Sequence, residues 1–398
     1  MTLPAMTFVS CIYDNIDDDE LPATDDPQTA LISINVGILG DSRTRAASDD
    51  EVGEDGALIN SLRIVITDDK GNVEINEKVQ IDQPKKEEHL LFLVGVGMKK
   101  VFLIGNAENT SLLVPSETPE AAQNTTLGDL MQQYPAGTPG FEEAINSVYF
   151  INTIAEAFGV QTIPLTSVYT IEALAGGKQE FKFWLVRAAT KYTVHFTNKR
   201  QETLYLRDLT ISSLETQMFL MPQVVGQQTI NGIYWIDWLR QISEESENHL
   251  GEPDWNGTAG WITDYLVPPF SEKYIFTPVH SVQNDERYKI AGSTSEPGTS
   301  VVTPGTLDLG PFYSTEGKNP AAGAAQNGFQ SYILGLKLYD IADNKEVDLE
   351  RTLPTLSALF RNTHVIIYVE FDEAWMHIYG EIGDWETNDV FGDVTEEK

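Results

Sequence analysis

The chain has 398 residues, 41% of them hydrophobic and 22% charged, a globular composition with enough apolar material for two packed domains. Sixty Asp and Glu against 26 Lys and Arg give a net charge of −34, a surface that repels nucleic acid and anionic membrane. There is no run of about 18 apolar residues, so no membrane-spanning helix is predicted, and the single cysteine, Cys11, excludes an internal disulfide and a cysteine-based zinc site.

Phe8-Val9-Ser10 precede Cys11, and an acidic tract from Asp14 to Asp26 with no basic residue follows it. Apolar and small residues before a cysteine, with a polar tether behind it, resemble a bacterial lipoprotein processing site. In that reading Cys11 carries lipid and becomes the new N-terminus, although the residues before it lack the basic n-region of a secretion signal. Residues 1–29 are expected to be a signal remnant and flexible acidic tether. From Ala30 the pattern changes. Ala30, Ile32, Ile34, Val36 and Ile38 alternate with residues that include Ser33, Asn35 and Gly37, which predicts a strand with one buried face. Behind it the polar loop Gly40–Gly56 carries Arg43 and Arg45, with no Lys or Arg before Arg43 and none after Arg45 until Arg63. An isolated basic pair in a small, acidic loop is an open target for an arginine-specific protease. A cut there separates the first strand from everything after it.

Strands are predicted next at Leu58–Thr67 and Val73–Ile81, joined by the turn Asp68-Asp69-Lys70-Gly71-Asn72, where Gly71 supplies a positive φ. That turn lacks the ligand spacing of an EF-hand. Leu90–Val96 and Lys99–Asn106 read as a further pair of strands. Thr125–Gln133 and Gly140–Phe158 have helical spacing, with Pro135 and Pro139 between them. Pro164–Ile171 and Glu180–Leu185 are strands again. Arg187–Asn198 shows the cleanest alternation in the chain: Tyr192, Val194 and Phe196 face one way, and Lys191, Thr193, His195 and Thr197 the other. His195 is therefore expected to be a solvated surface histidine. A domain boundary is placed just before this strand, giving an N-terminal domain over 30–184 and a C-terminal domain over 185–398.

The second half continues with predicted strands at Leu204–Ser213, Glu215–Pro222, Tyr274–Val279, Arg287–Ala291, Gln330–Asp340, Thr363–Asp372 and Met376–Ile382. Many short strands with Gly, Pro and Asn turns indicate β-sandwiches. Residues 231–270 stand apart, with Trp235, Trp238, Trp255 and Trp261 in one stretch and an amphipathic helix expected over Ile233–Ile242. Two readings stand for these rings: stacking on a sugar, or closing the end of a sandwich under a long insertion. No nucleophile elbow, phosphate loop, dinucleotide fingerprint or metalloprotease helix is present. The six histidines are scattered, and His364 and His377 read as structural. No catalytic residue, cofactor or metal is implied.

Several stretches taken in order resemble the fimbrillins, the subunits that build the type V pili of Bacteroidia. They are IYDNIDDDE after Cys11, TRAASDDEVGEDGALINSLRIVITDDKGNVEINE, IPLTSVYTI followed by FWLVRAATKYTVHFTN, PFYSTEGKN, and LFRNTHVIIYVEF with a closing GDW. The resemblance implies a mainly β chain of two transthyretin-like Greek-key β-sandwich domains with short helices in insertions. It also implies an outer-membrane lipoprotein precursor that becomes part of an extracellular fimbrium. An arginine-specific protease would remove the first strand (Ile32, Ile34, Val36, Ile38) by cutting after Arg45, before Ala46, with Arg43 the second choice. Other pilin subunits would then join by donor-strand exchange, for adhesion. Stalk subunits of the family donate a C-terminal strand. Here Glu386–Lys398 is acidic, with Val390, Phe391 and Val394 its apolar residues. Either the donor includes Ile378–Ile382, or the subunit sits at a tip or anchor. The rival reading is a non-polymerising surface lipoprotein that binds host or bacterial glycan through the 231–270 aromatics.

Overall fold

The computed structural model describes residues 28–39, 58–114, 123–151, 163–214, 217–224, 228–230, 233–245, 265–266, 274–295, 302–317, 332–353, 359–372 and 376–383. Cys11, Arg43, Arg45, Ala46, Trp255, Trp261 and the acidic stretch after Gly383 lie outside the described residues. The first half of the chain forms β1 (Thr29–Ile38), β2 (Leu62–Thr67), β3 (Val73–Val79), β4 (Glu87–Gly95), β5 (Gly97–Gly105), β6 (Ser111–Val114) and β7 (Gln123–Thr126). Helices α1 (Leu127–Met131) and α2 (Phe141–Ser147) follow, then β8 (Tyr149–Ile151), β9 (Leu165–Ala173) and β10 (Lys178–Arg187). The second half forms β11 (Thr190–Asn198), β12 (Leu204–Leu214), β13 (Gln217–Phe219), α3 (Trp235–Glu245), β14 (Tyr274–His280), β15 (Gly305–Ser314), β16 (Ile333–Asp340), β17 (Lys345–Thr352), β18 (Thr363–Phe371) and β19 (Met376–Gly383), with some two-residue strands between.

The chain is mainly β. In the first half seven strands join in the order β3-β2-β5-β9-β10-β1-β4. β9 and β10 meet in backbone register only at Val186↔Thr166 and Arg187↔Leu165, so the sheet folds over at that seam. Beyond the seam the Tyr169 hydroxyl takes over from the ladder: it accepts from the Trp184 N–H at 2.6 Å and donates to the Trp184 carbonyl at 2.8 Å. Burial pushes this phenol well above its ordinary pKa, so it stays protonated and able to donate. The alternating apolar face of β1 meets Leu62, Ile64, Val101, Leu103, Leu90 and Phe92 in one continuous core.

In the second half β15-β11-β18-β19 form one sheet and β14-β12-β16-β17 another. β11 runs antiparallel to β15 and parallel to β18. β1 is flanked the same way, antiparallel to β4 and parallel to β10. The two sandwiches thus open on equivalent strands. A fourth sheet, β13-β8-β6-β7, crosses between the halves, and Met218, Leu220 and Met221 pack against Phe102 and Phe141 of the first half. Near residue 185 the two halves are interlinked: β10 stays in the first sheet through Arg187, and β13 pairs with β8 of the first half.

Local expectations and structure differ in identifiable ways. The helix expected over 140–158 ends at Ser147, because the aromatic and β-branched run Tyr149–Ile151 pairs as β8 with β6 and β13. α1 is short but capped: Thr126 Oγ1 accepts from the Asp129 N–H. The short strands β6, β7 and β8 of the first half were not expected, and neither were two of the second half. β17, KEVDLERT, is a charged sheet edge, and β15 has Gly310 and Pro311 in its middle. His195 is not solvated: it is buried, and its Nδ1 lies 2.8 Å from Asp308 Oδ1 on β15, so the polar face of β11 is covered.

Two arginines lock the halves together. Arg361 and Glu316 are buried partners. Arg361 Nε donates to Glu316 Oε1 at 3.0 Å, and its Nη atoms reach across to Thr166 Oγ1, the Leu220 carbonyl and the Phe219 carbonyl. Arg187, also buried, donates from Nη1 to the Leu39 carbonyl at 2.8 Å and to Asn362 Oδ1 at 3.2 Å.

Candidate functional site

β1 is an interior strand. It holds nine register positions against β4, from Thr29↔Gly95 to Gly37↔Glu87, and eight against β10, from Leu31↔Lys178 to Ile38↔Leu185. Ile32, Ile34, Val36 and Ile38 are each 0% exposed. At roughly 1.5–3 kcal/mol for each buried side chain, the four together stabilise the sandwich by about 6–12 kcal/mol as an upper figure. The strand's other face is more polar. Ser33 Oγ lies 2.8 Å from His89 Nε2 on β4. Gly37 lies beside Trp184 of β10, whose ring is close enough that a Cβ at Gly37 would stand 2.8 Å from Cζ3.

The segment carrying Arg43, Arg45 and Ala46 is fixed at both ends. At its start the Leu39 N–H donates to the Leu185 carbonyl at 2.8 Å, and the Leu39 carbonyl is held by Arg187. At its end Asn106, with a φ of 55°, adopts the left-handed conformation. Its Oδ1 accepts from the Asn60 and Ser61 N–H groups, and its Nδ2 donates to the Leu58 carbonyl. Two of the interactions that frame this site, Arg187 with Leu39 and Trp184 with Gly37, went unread in the sequence; each is set by sheet register between strands about 150 positions apart.

Of the four tryptophans of residues 231–270, Trp235 and Trp238 lie among the described residues. Trp235 is 0% and Trp238 3% exposed on α3, and Trp238 packs edge-on to Phe360 at 4.9 Å. A sugar needs an open ring face, and these two have none, so the expectation of glycan contact through Trp235 and Trp238 is corrected: they anchor α3 to the core. His364 is buried, with Nε2 2.9 Å from Thr193 Oγ1, and His377 faces Asp372 at the surface. Among the described residues no group of three or more His, Cys, Asp and Glu side chains is placed to hold a metal ion, and no helix is long and apolar enough to cross a membrane.

β1 is thus an interior strand closed between β4 and β10, and the part of the sequence that begins with it matches a known family. Residues 30–139, from β1 to the turn before α2, match the family described as major fimbrial subunit protein (FimA). Among solved structures, one provisionally described as a cell adhesion protein from Parabacteroides distasonis shares the fold at a TM-score of 0.52 and 11% identity, covering 89% of this chain and 97% of that one. The tip fimbrial protein Mfa3 from Porphyromonas gingivalis aligns at a TM-score of 0.48 and 10% identity, over 90% of this chain and 100% of that one. A fimbrilin (FimA) from Porphyromonas gingivalis W83 aligns at 0.43 and 10%, over 90% and 98%. No curated protein matches the sequence.

Proposed function

We propose that this chain is a non-enzymatic structural subunit of a cell-surface fimbria, whose first strand is a removable plug. In this reading the precursor is exported as a lipoprotein through Cys11 and cut by an arginine-specific protease after Arg45, with Arg43 the second choice. β1 then leaves, and an extended segment of another pilin subunit takes its place between β4 and β10. The two sandwiches act as N-terminal and C-terminal domains joined through β13 and the buried arginines.

The observation that carries the reading is the position of β1. Among the described strands, β4 has its backbone ladder with β1 alone. Withdrawing β1 therefore opens two rows of unpaired backbone groups at once, together with the apolar cleft that held four large side chains. While β1 stays, the cleft is filled and the subunit is capped against early assembly. The rival glycan-binding reading loses two of its four rings to the core.

The test is processing-dependent assembly. Intact-mass measurement and N-terminal sequencing of subunits taken from the native cell surface are expected to show lipid on Cys11 in the precursor and Ala46 as the mature start. Arg43→Ala/Arg45→Ala is expected to give capped monomers that form no denaturant-resistant oligomers. A double variant that assembles as well as the parent would refute the processing step.

A further inference from the structure

Alternation alone cannot place a strand in this cleft. A slip of one residue turns the apolar side chains to the wrong face, but a slip of two keeps them facing the core and only shifts the ladder. Something else must separate the right register from its neighbours two residues away. Two features of β10 do so, and both lie at the end of β1 nearest the domain junction.

The first is steric. Gly37 pairs with Trp184, and a Cβ there would stand 2.8 Å from Cζ3 and 3.1 Å from Cε3 of the indole. Lys182 Nζ lies 4.5 Å from the ring centroid, and the Trp184 backbone is bound through both its N–H and its carbonyl to the Tyr169 hydroxyl. A slip by two residues in either direction puts Asn35 or Leu39 beneath the ring, and each brings a Cβ and a branched side chain. The second is polar. The buried Arg187 donates to the carbonyl of Leu39 and, from the same nitrogen, to Asn362 of the second half. A strand that stops short of position 39 leaves this guanidinium without that acceptor in a buried site, which is costly.

We infer that Trp184 and Arg187 form a register lock that selects the strand filling the β1 cleft. It admits a segment with apolar residues at alternate positions, a glycine under Trp184, and a backbone carbonyl two residues further on. This rests on the strand-replacement reading above and adds the identity the incoming strand must have. Because Arg187 also holds Asn362, a correctly seated strand is tied to the second sandwich as well as to the first.

The test uses full-length protein with a specific protease site inserted within residues 40–57, cut and then incubated with labelled peptides. A peptide of residues 28–39 with a C-terminal amide is expected to be captured. The same peptide carrying Gly37→Val should bind at least about tenfold more weakly, and Trp184→Ala in the protein should restore it. A peptide whose Leu39 is replaced by a 3-methylbutylamide keeps the N–H and the side chain but lacks the carbonyl. It should bind roughly tenfold more weakly to the parent and equally well, relative to the amide, to Arg187→Met. In the uncut chain, Gly37→Val should lower the thermal midpoint by about 3 °C or more, with Trp184→Ala recovering the added loss. If all three peptides are captured alike and uncut Gly37→Val melts like the parent, the lock is overturned while strand replacement stands. If no peptide is captured although uncut Gly37→Val is destabilised and rescued, strand replacement fails, and the selection of an incoming strand fails with it.

Discussion

Replacing Glu316 with alanine tests how the two halves are held. Glu316 and Arg361 are 1% and 0% exposed, and the carboxylate accepts from the Arg361 backbone N–H at 3.1 Å, from Nε at 3.0 Å and from Nη2. In Glu316→Ala the guanidinium stays charged and buried, facing the neutral acceptors Thr166 Oγ1, the Leu220 carbonyl and the Phe219 carbonyl in place of a carboxylate. Breaking one side of a buried pair in this way costs about 3–5 kcal/mol. Replacing both partners, as Glu316→Leu/Arg361→Met, removes the stranded charge. It still leaves Thr166 Oγ1 and the Leu220 and Phe219 carbonyls short of this donor, at about 1–3 kcal/mol for an unmet group, so recovery is expected to be partial. Urea denaturation followed by tryptophan fluorescence measures the loss. Calorimetry should show one transition separating into two as the halves uncouple. A Glu316→Ala variant within about 1 kcal/mol of the parent, melting in a single unchanged transition, would refute the view that this pair is a clamp between sandwiches.

Asn106→Ala removes three hydrogen bonds and a residue suited to positive φ, so it should cost about 2–3 kcal/mol in chemical denaturation, and Asn106→Gly should cost less because glycine keeps the backbone conformation. Trp235→Ala empties a fully buried site under α3 and should cost about 3–5 kcal/mol by the same measurement. Tyr169→Phe deletes the hydroxyl that bridges both backbone groups of Trp184, for about 1–3 kcal/mol. At Asp68 partial burial acts to raise the carboxyl pKa, but the hydrogen bonds from Asn72 and Lys70 outweigh it and hold the group below its ordinary value. A depressed folded value means stability that is present above the unfolded pKa and lost as the pH falls through the folded one. The destabilisation caused by Asp68→Ala should therefore be full at pH 7 and shrink below about pH 4 in pH-resolved melts.

Much of the fold was legible because its signals are local. The alternation of Ile32 to Ile38 and of Tyr192 to Phe196 marks strands with one face in the core, and these became β1 and β11. Where the reading failed, tertiary context decided. β17 has only Val347 and Leu349 to show among charged residues, because an edge strand needs little apolar surface. The Tyr149–Ile151 run continues a helical pattern until β13, more than 60 positions later, pairs with it. His195 looks like a surface residue on its own strand, and only the register with β15 brings Asp308 to it. The motif LFRNTHVIIYVEF singled out Arg361 and Asn362, but nothing local indicates that Arg361 meets Glu316 or that Asn362 shares Arg187 with the end of β1.

β1 and β11 occupy matching places in their sandwiches, yet β11 is continuous with the chain at both ends, being joined to β10 through Ala188-Ala189 and running on toward β12. On the proposed mechanism the cut after Arg45 frees the first of the two and not the second, and each processed subunit therefore offers one socket and no more. Polymers made this way have a fixed valence, lengthening as unbranched threads with a defined direction instead of growing into a network.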